Sequence, residues 1–277
     1  MAGSRNRKEK RMDTAVEKNQ VKEAGRPGGE TGTKEIPPVP VMPIAAFREQ
    51  LLTAVPQLTE AQAETLYKYM EKVLDRNRFI NLTAVREPEE FLARHYIDSL
   101  DALRLPEYQK ADTIIDVGTG GGFPGIPLAL ASPEKRFVLM DSLRKRLRVI
   151  REFADDLEIG NVEMVHGRAE DLGRNPAHRE RYDLAVSRAV ADLPVLCEYC
   201  LPLVKPGGFF LAYKGPEGEG ECRRAAKAIQ ALGGRFLRVE AGTAPGMGHT
   251  LCLIQKLKVT PEKFPRKAGI PSKEPLG

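Results

Sequence analysis

The sequence predicts an α/β fold: a seven-stranded, mostly parallel sheet preceded by a small helical extension. Seven short apolar or β-rich runs follow residue 113, namely TIIDV, RFVLM, VEMVH, DLAVS, GFFLAY, RFLRV and HTLCLIQ. The first five are separated by stretches of helical length, the rhythm of βαβ units. The first run enters a glycine-rich turn, DVGTGGGFPG, where a strand hands over to a helix.

Taken in order, residues 1–43 read as a disordered basic tail closed by the Pro-rich linker IPPVPVMP, because large apolar side chains are nearly absent ahead of it. Residues 44–105 read as the helical extension. Leu58, Leu66, Tyr69, Val73 and Leu74 recur at helical spacing behind Thr59-Glu60, a cap and first turn. A second helix is expected after Pro88, carrying Phe91, Leu92, Tyr96, Leu100 and Leu103. The polar stretch between them holds the sequon Asn81-Leu82-Thr83, which is expected to be silent. Residues 106–257 hold the sheet. Its last two runs are joined by only AGTAPGMG, which suits an antiparallel hairpin rather than a crossover. Residues 258–277 form a basic, Pro-rich tail.

Composition narrows the function. In 277 residues, 42% hydrophobic and 29% charged is an ordinary globular profile. No apolar run approaches the ~20 residues of a membrane span, and no secretory signal is visible, so a cytoplasmic protein is expected. Four cysteines are too few for a disulfide framework. The net charge of +5 is uneven: residues 1–40 carry +3, residues 256–277 carry +4, and the rest carries −2. Basic tails suit a polyanionic partner, or simply solubility. With 17 aromatics and no Trp, a large stacking platform for single strands is not expected.

The glycine turn carries the chemistry. Gly120, Gly122 and Gly125 formally satisfy G-x-G-x-x-G, but a dinucleotide pyrophosphate would sit poorly beside Asp116, two residues ahead of Gly118. An acid there suits the ammonium group of S-adenosylmethionine, and the helix start is expected to present free amides. Asp141 ends the second strand, where a carboxylate can accept from ribose hydroxyls. Glu170 and Asp171 follow the third strand, where an acid can accept from the exocyclic amine of adenine. One acid at each of three successive strand ends resembles the class I, Rossmann-like S-adenosylmethionine-dependent methyltransferases. A lone Asp141 could instead cap a helix.

Missing residues narrow the methyl acceptor. The fourth strand is followed by AVSRAVADLP, not by the Pro-Pro-aromatic loop usual in exocyclic-amine methylation. Cys197 and Cys200 lie in a predicted helix and read as buried thiols, not as a C5-type nucleophile or a metal half-site. Guanine N7 has an exposed lone pair and no proton to remove, so a site without an evident base is compatible with it.

The stretches NLTAVREPEEFLARHYIDSL, DVGTGGGFPGIPLAL, DSLRKR, SRAVADL, YKGP and FPRKAGIPSKEPLG occur in one order. Together they resemble the bacterial small-subunit rRNA guanine-N7 methyltransferase family, also called glucose-inhibited division protein B, from about residue 45 onward. The resemblance implies methyl transfer from S-adenosylmethionine to N7 of one guanine of 16S rRNA. Whether naked RNA or the 30S subunit is the substrate stays open, and a monomer without metal or membrane is expected because nothing in the sequence points beyond it. It implies that Gly118, Phe123, Ala169, Glu170 and Arg188 contact the cofactor; Asp116, Gly120 and Asp141 join them from the argument above. It also implies that Asn81, Arg94 and His95 face the cleft. Many relatives carry Pro or Ala at the position of Gly121, so a third consecutive glycine is expected to loosen the loop.

For RNA, Arg144, Arg148 and Arg151 share one helix face at i, i+4 and i+7. That face either binds phosphate or is solvated and paired to Glu152 and Asp155. Lys214 and Arg188, at strand ends, are expected near the target guanine or a neighbouring phosphate. The alternatives left open are a small-molecule methyltransferase of the same fold, an NAD-dependent oxidoreductase, and an RNA-binding module without catalysis.

Overall fold

The structure, a computed structural model, describes residues 42–277, so the tail and most of the Pro-rich linker lie outside the described residues. Helices α1 (Ile44–Ala54) and α2 (Glu60–Arg76) come first. α2 starts at Thr59 as expected. The Thr59 hydroxyl accepts from the Gln62 amide, and the Gln62 side chain accepts from the Thr59 amide, a reciprocal cap. Its stripe of Leu66, Tyr69, Met70, Val73 and Leu74 is buried.

The expected regular helix after Pro88 is broken. α3 (Pro88–Phe91) runs into a π-type turn (Leu92–Ile97), then α4 (Asp98–Leu100), a 3-10 turn (Asp101–Arg104) and α5 (Pro106–Gln109). A π-type turn holds one more residue than an α turn. Around it Arg94, His95 and Asp98 line a cleft, while Tyr96 stays in the core and donates to Leu66 O at 2.6 Å.

From residue 113 the chain alternates: β1 (Thr113–Val117), α6 (Gly125–Ala131), β2 (Arg136–Asp141), α7 (Arg144–Asp156), β3 (Val162–His166), α8 (Ala169–Leu172), β4 (Tyr182–Arg188), α9 (Leu193–Cys200) and β5 (Val204–Lys214). Then follow α10 (Gly218–Arg224), α11 (Ala226–Ala231), β6 (Gly234–Ala241), β7 (Thr250–Lys256) and α12 (Ile270–Lys273). All seven expected runs are strands, in sheet order β3-β2-β1-β4-β5-β7-β6. β1 to β5 pair in parallel. β7 is antiparallel to both neighbours, which gives the expected hairpin. β5 starts ahead of GFFLAY because Val204 pairs with Tyr182 of β4.

Strand side chains alternate between two cores. Ile114, Leu139, Val186 and Leu211 pack with the extension, α6 and α7. Ile115, Met140, Ala185 and Phe210 pack with α8 to α11 and Phe264. A parallel sheet covered on both faces accounts for the nearly unbroken apolar runs. Strand order reverses between β1 and β4, so a crevice opens at their carboxyl ends. Among the described residues no helix is long and apolar enough to cross a membrane. Nor do the described residues hold a group of three or more His, Cys, Asp or Glu fit for a metal ion.

Candidate active site

The crevice is a cleft of about 850 Å³. Gly118, Gly120, Phe123, Asp141, Ala169, Glu170 and Arg188 all line it; Asp116 does not.

The loop after β1 is closed on itself. The amides of Gly118 and Thr119 both donate to Met140 O at 3.0 Å, and those of Gly122 and Phe123 donate to Thr119 O at 2.9 Å. Gly120 N donates to Asp141 Oδ2 at 3.0 Å, and Gly125 N to Asp116 Oδ2 at 2.9 Å. Among the described residues only the Gly121 amide in this loop lacks an acceptor. The expected free amides are therefore spent within the protein. With only the Gly121 amide left to donate, the loop offers a pyrophosphate no row of backbone donors, and it sets the Asp141 carboxylate at Gly120. Beside the loop the cleft presents the carboxylates of Asp141 and Glu170, acceptors that match hydroxyls, amines and a cation, so these residues fit S-adenosylmethionine.

Asp116 is a correction. It was expected beside the ammonium, but it is fully buried beneath the loop, where Oδ2 accepts from Thr119 Oγ1 at 2.6 Å and from Gly125 N. Oδ1 has no hydrogen-bond partner. Burial, the largest influence, pushes the carboxyl up to about 7, against the pull of Thr119 and Gly125. A folded value above the unfolded one, about 4, stabilises the fold most at low pH, and that contribution is lost as pH rises through about 7. Relative to Asp116→Asn, the parent is expected to lose stability between about pH 4 and 7. Denaturant unfolding of both chains checks this, and parallel curves would refute it.

Asp141 is buried at the end of β2, and its Oδ1 accepts from Leu143 N at 2.7 Å. Glu170 is buried at the start of α8, its Oε1 accepting from Gly269 N at 2.8 Å. Gly121 reverses its expectation: a Cβ there would lie 2.9 Å from Leu82 O, so the glycine allows tight packing rather than looseness. Tyr69 Oη donates to Gly121 O at 2.9 Å.

Arg188 joins the extension to the sheet. Its guanidinium donates to Arg94 O at 2.6 Å, Asp98 Oδ2 at 2.7 Å and His95 Nδ1 at 3.0 Å. It also lies over the Phe123 ring, 5.6 Å from the centroid. A guanidinium only donates, so His95 Nδ1 accepts and Nε2 carries the proton toward Thr83 Oγ1 at 2.6 Å. His95 stacks on Phe123 with ring centroids 4.3 Å apart. Burial first, then the Arg188 charge, lowers its pKa to about 3, so the imidazole is neutral at pH 7. Asp98 also accepts from His249 Nδ1 at 2.9 Å. Burial pushes the Asp98 carboxyl up, but hydrogen bonds from His249 and Arg188 and the Arg188 charge outweigh it and hold it below the usual range.

Residues 62–249 match the family model described as GidB, rRNA small subunit methyltransferase G. The chain is 46% identical to Ribosomal RNA small subunit methyltransferase G of Alkaliphilus oremlandii, over 79% of this chain and 93% of that protein. It is 41% identical to the same-named protein of Lactobacillus acidophilus, with the same coverage.

The chain belongs to the rRNA small subunit methyltransferase G family.

Its fold resembles that of an O-methyltransferase from Bacillus cereus solved with S-adenosylhomocysteine. The TM-score is 0.51 at 22% identity, over 77% of this chain and all of that one. The sheet and its flanking helices are those of a class I, S-adenosylmethionine-dependent methyltransferase.

In this methyltransferase Arg144, Arg148 and Arg151 are exposed together on α7 because Leu147, Val149, Ile150, Phe153 and Ala154 bury the opposite side. The triad does not line the cleft; Arg146 does, 3.8 Å from Asp141 Oδ2. Glu152 pairs with Arg76 of α2, not with the triad. Asn81 is exposed and off the cleft wall, which the loop reaches only from Leu82. Lys214 lines the cleft, where its ammonium meets Glu221 at 2.6 Å and Ala191 O at 3.0 Å. Cys197 and Cys200 are buried in α9. Sequence reasoning missed Asp98, His249, Arg146 and Ser272. Asp98 stood inside a quoted stretch, LARHYIDSL, but with no signal of what it would touch. His249 is a lone histidine in a hairpin loop and carried no signal at all.

Proposed function

We infer that this methyltransferase transfers a methyl group from S-adenosylmethionine to N7 of one guanine in 16S rRNA, free or in the 30S subunit. It acts as a monomer in the cytoplasm. The observation that carries the cofactor half is the Asp141 carboxylate seated on the Gly120 amide. Family membership supports the RNA half.

When bound, the cofactor supplies a methyl group on a cationic sulfur. Asp141 would accept from the ribose hydroxyls, and Glu170 from the adenine exocyclic amine. Gly118, Gly120, Phe123 and Ala169 would form the surrounding wall, with Asp116 holding the loop from below. No side chain has to remove a proton from guanine N7, because none is there. His95 fits such a reaction: it is neutral, and both its nitrogens are engaged. Arg188 uses three of about five N–H donors on the protein. The rest are free to hold guanine O6 or a phosphate while N7 attacks. Lys214 supplies one further donor at the same wall.

The exposed α7 triad is the proposed phosphate-binding face. The triple variant Arg144→Ala, Arg148→Ala, Arg151→Ala is expected to reduce the slope of log K against log salt for rRNA binding by about 2. An unchanged slope removes α7 from the RNA interface.

The function itself is tested with labelled S-adenosylmethionine and small-subunit rRNA, naked and as 30S particles lacking the modification. Borohydride–aniline cleavage maps N7-methylguanine. One labelled guanine is expected. Cofactor binding without transfer to either RNA would favour a small-molecule acceptor, and no cofactor binding would overturn the reading of Asp141 and the loop.

A further inference from the structure

After β7 the chain does not trail away but returns across α8 and α9. Glu198 of α9 is fully buried, and its carboxylate takes the Arg266 amide at 2.7 Å and the Arg266 guanidinium Nη2 at 2.7 Å. Arg179 holds the same segment from its other side, donating to Thr260 O at 2.7 Å and Phe264 O at 2.9 Å. A buried carboxylate released from such a pair is costly, so the anchor is firm. Beyond the anchor the chain turns at Gly269, whose φ of +83° favours glycine. Gly269 N then donates to Glu170 Oε1 at 2.8 Å. Ser272, further on, lines the same cleft as Ala169, Glu170 and Tyr199.

We propose that this C-terminal strap positions Glu170 and thereby sets the preference of the cleft for an adenine-bearing cofactor. The proposal rests on the cofactor reading above. Among the described residues the strap supplies the only hydrogen bond to the Glu170 carboxylate. That bond fixes one oxygen and leaves the other as an acceptor. A fixed acceptor takes the 6-amino group of adenine and repels the 6-oxo group of hypoxanthine; a carboxylate free to rotate into water discriminates less. Gly269 is thus a positioning residue acting through Glu170.

The test compares the full chain with one ending at Lys267, which keeps the Arg266 anchor and loses Gly269 and Ser272. Calorimetry gives the affinities for S-adenosylhomocysteine and S-inosylhomocysteine, and thermal melting gives the stability without ligand. The shortened chain is expected to bind S-adenosylhomocysteine about tenfold more weakly and to lose most of its preference over the inosyl compound, while melting within a few degrees of the parent. Unchanged affinity and preference in a folded shortened chain overturn the proposal. If the shortened chain melts early, Gly269→Ala decides. Its Cβ meets nothing within 4 Å, so it acts through backbone strain at that φ alone. A reduced adenine preference supports the strap, and an unchanged one overturns it. Failure of the full chain to bind S-adenosylhomocysteine would overturn the cofactor reading instead, and is seen before any variant is made.

Discussion

Asp141→Ala is expected to weaken S-adenosylhomocysteine binding by roughly 100-fold or more. The carboxylate holds the amides of Gly120 and Leu143 and borders the cleft. Each hydrogen bond to a charged acceptor contributes about 1.5–3 kcal/mol. Losing two to the ribose hydroxyls amounts to at least about 3 kcal/mol, two orders of magnitude in affinity. The Gly120 amide also loses its acceptor, so the loop is less well held before the ligand arrives. Asp141→Asn is not expected to restore binding, because its amide group must face one of the two backbone N–H groups. Titration calorimetry with S-adenosylhomocysteine measures this. A dissociation constant within threefold of the parent would remove Asp141 from the cofactor site.

The second large effect is expected at Asp98, which no strand-end pattern marks. Its carboxylate is buried between Arg188 and His249. Asp98→Ala leaves the Arg188 guanidinium with only a carbonyl and a neutral imidazole as partners. Breaking a buried pair from one side costs about 3–5 kcal/mol, which lowers the melting temperature of a chain of this size by roughly 10 °C. Turnover is expected to fall further than stability explains, because Arg188 no longer keeps one position at the cleft wall. Asp98→Asn separates the two contributions. Its oxygen accepts from Arg188, and its amide donates to His249 Nδ1 once that ring carries its proton on Nε2 instead, so geometry is retained while the charge is lost. Its melting temperature and kcat are expected between those of the parent and Asp98→Ala. If Asp98→Ala melts and turns over like the parent, the Arg188 network has no part in catalysis.

Much of the architecture was legible because it is written in local periodicity. Strands buried on both faces read as apolar runs, and a short Gly-rich connection between two of them can only be a hairpin. The carboxyl ends of parallel strands converge, so Asp141 and Glu170 could be placed at one cleft from their positions in the strand pattern alone. Direction was not legible. Asp116 and Asp141 are both strand-end aspartates, yet one turns beneath the loop and the other faces the cleft. The triad on α7 shares a face, as its spacing requires, but packing of Leu147, Ile150 and Phe153 aims that face to solvent and leaves Arg146 at the cleft.

The sequence by itself determined the sheet, the glycine loop, the class of cofactor and the family. Spacing and order along the chain carry those features, because each strand, turn and motif is recognisable from its own local segment. Only the tertiary structure decided that Arg188 is held by Asp98, 90 residues earlier, and that Asp98 is held by His249, 151 residues later. It alone showed the Gly120 amide taken by Asp141 and the C-terminal strap returning to Glu170. These contacts join segments with no shared periodicity. Their partners are selected by burial, which forces every charged group taken out of water to find a hydrogen-bonded counterpart wherever the chain brings one within reach.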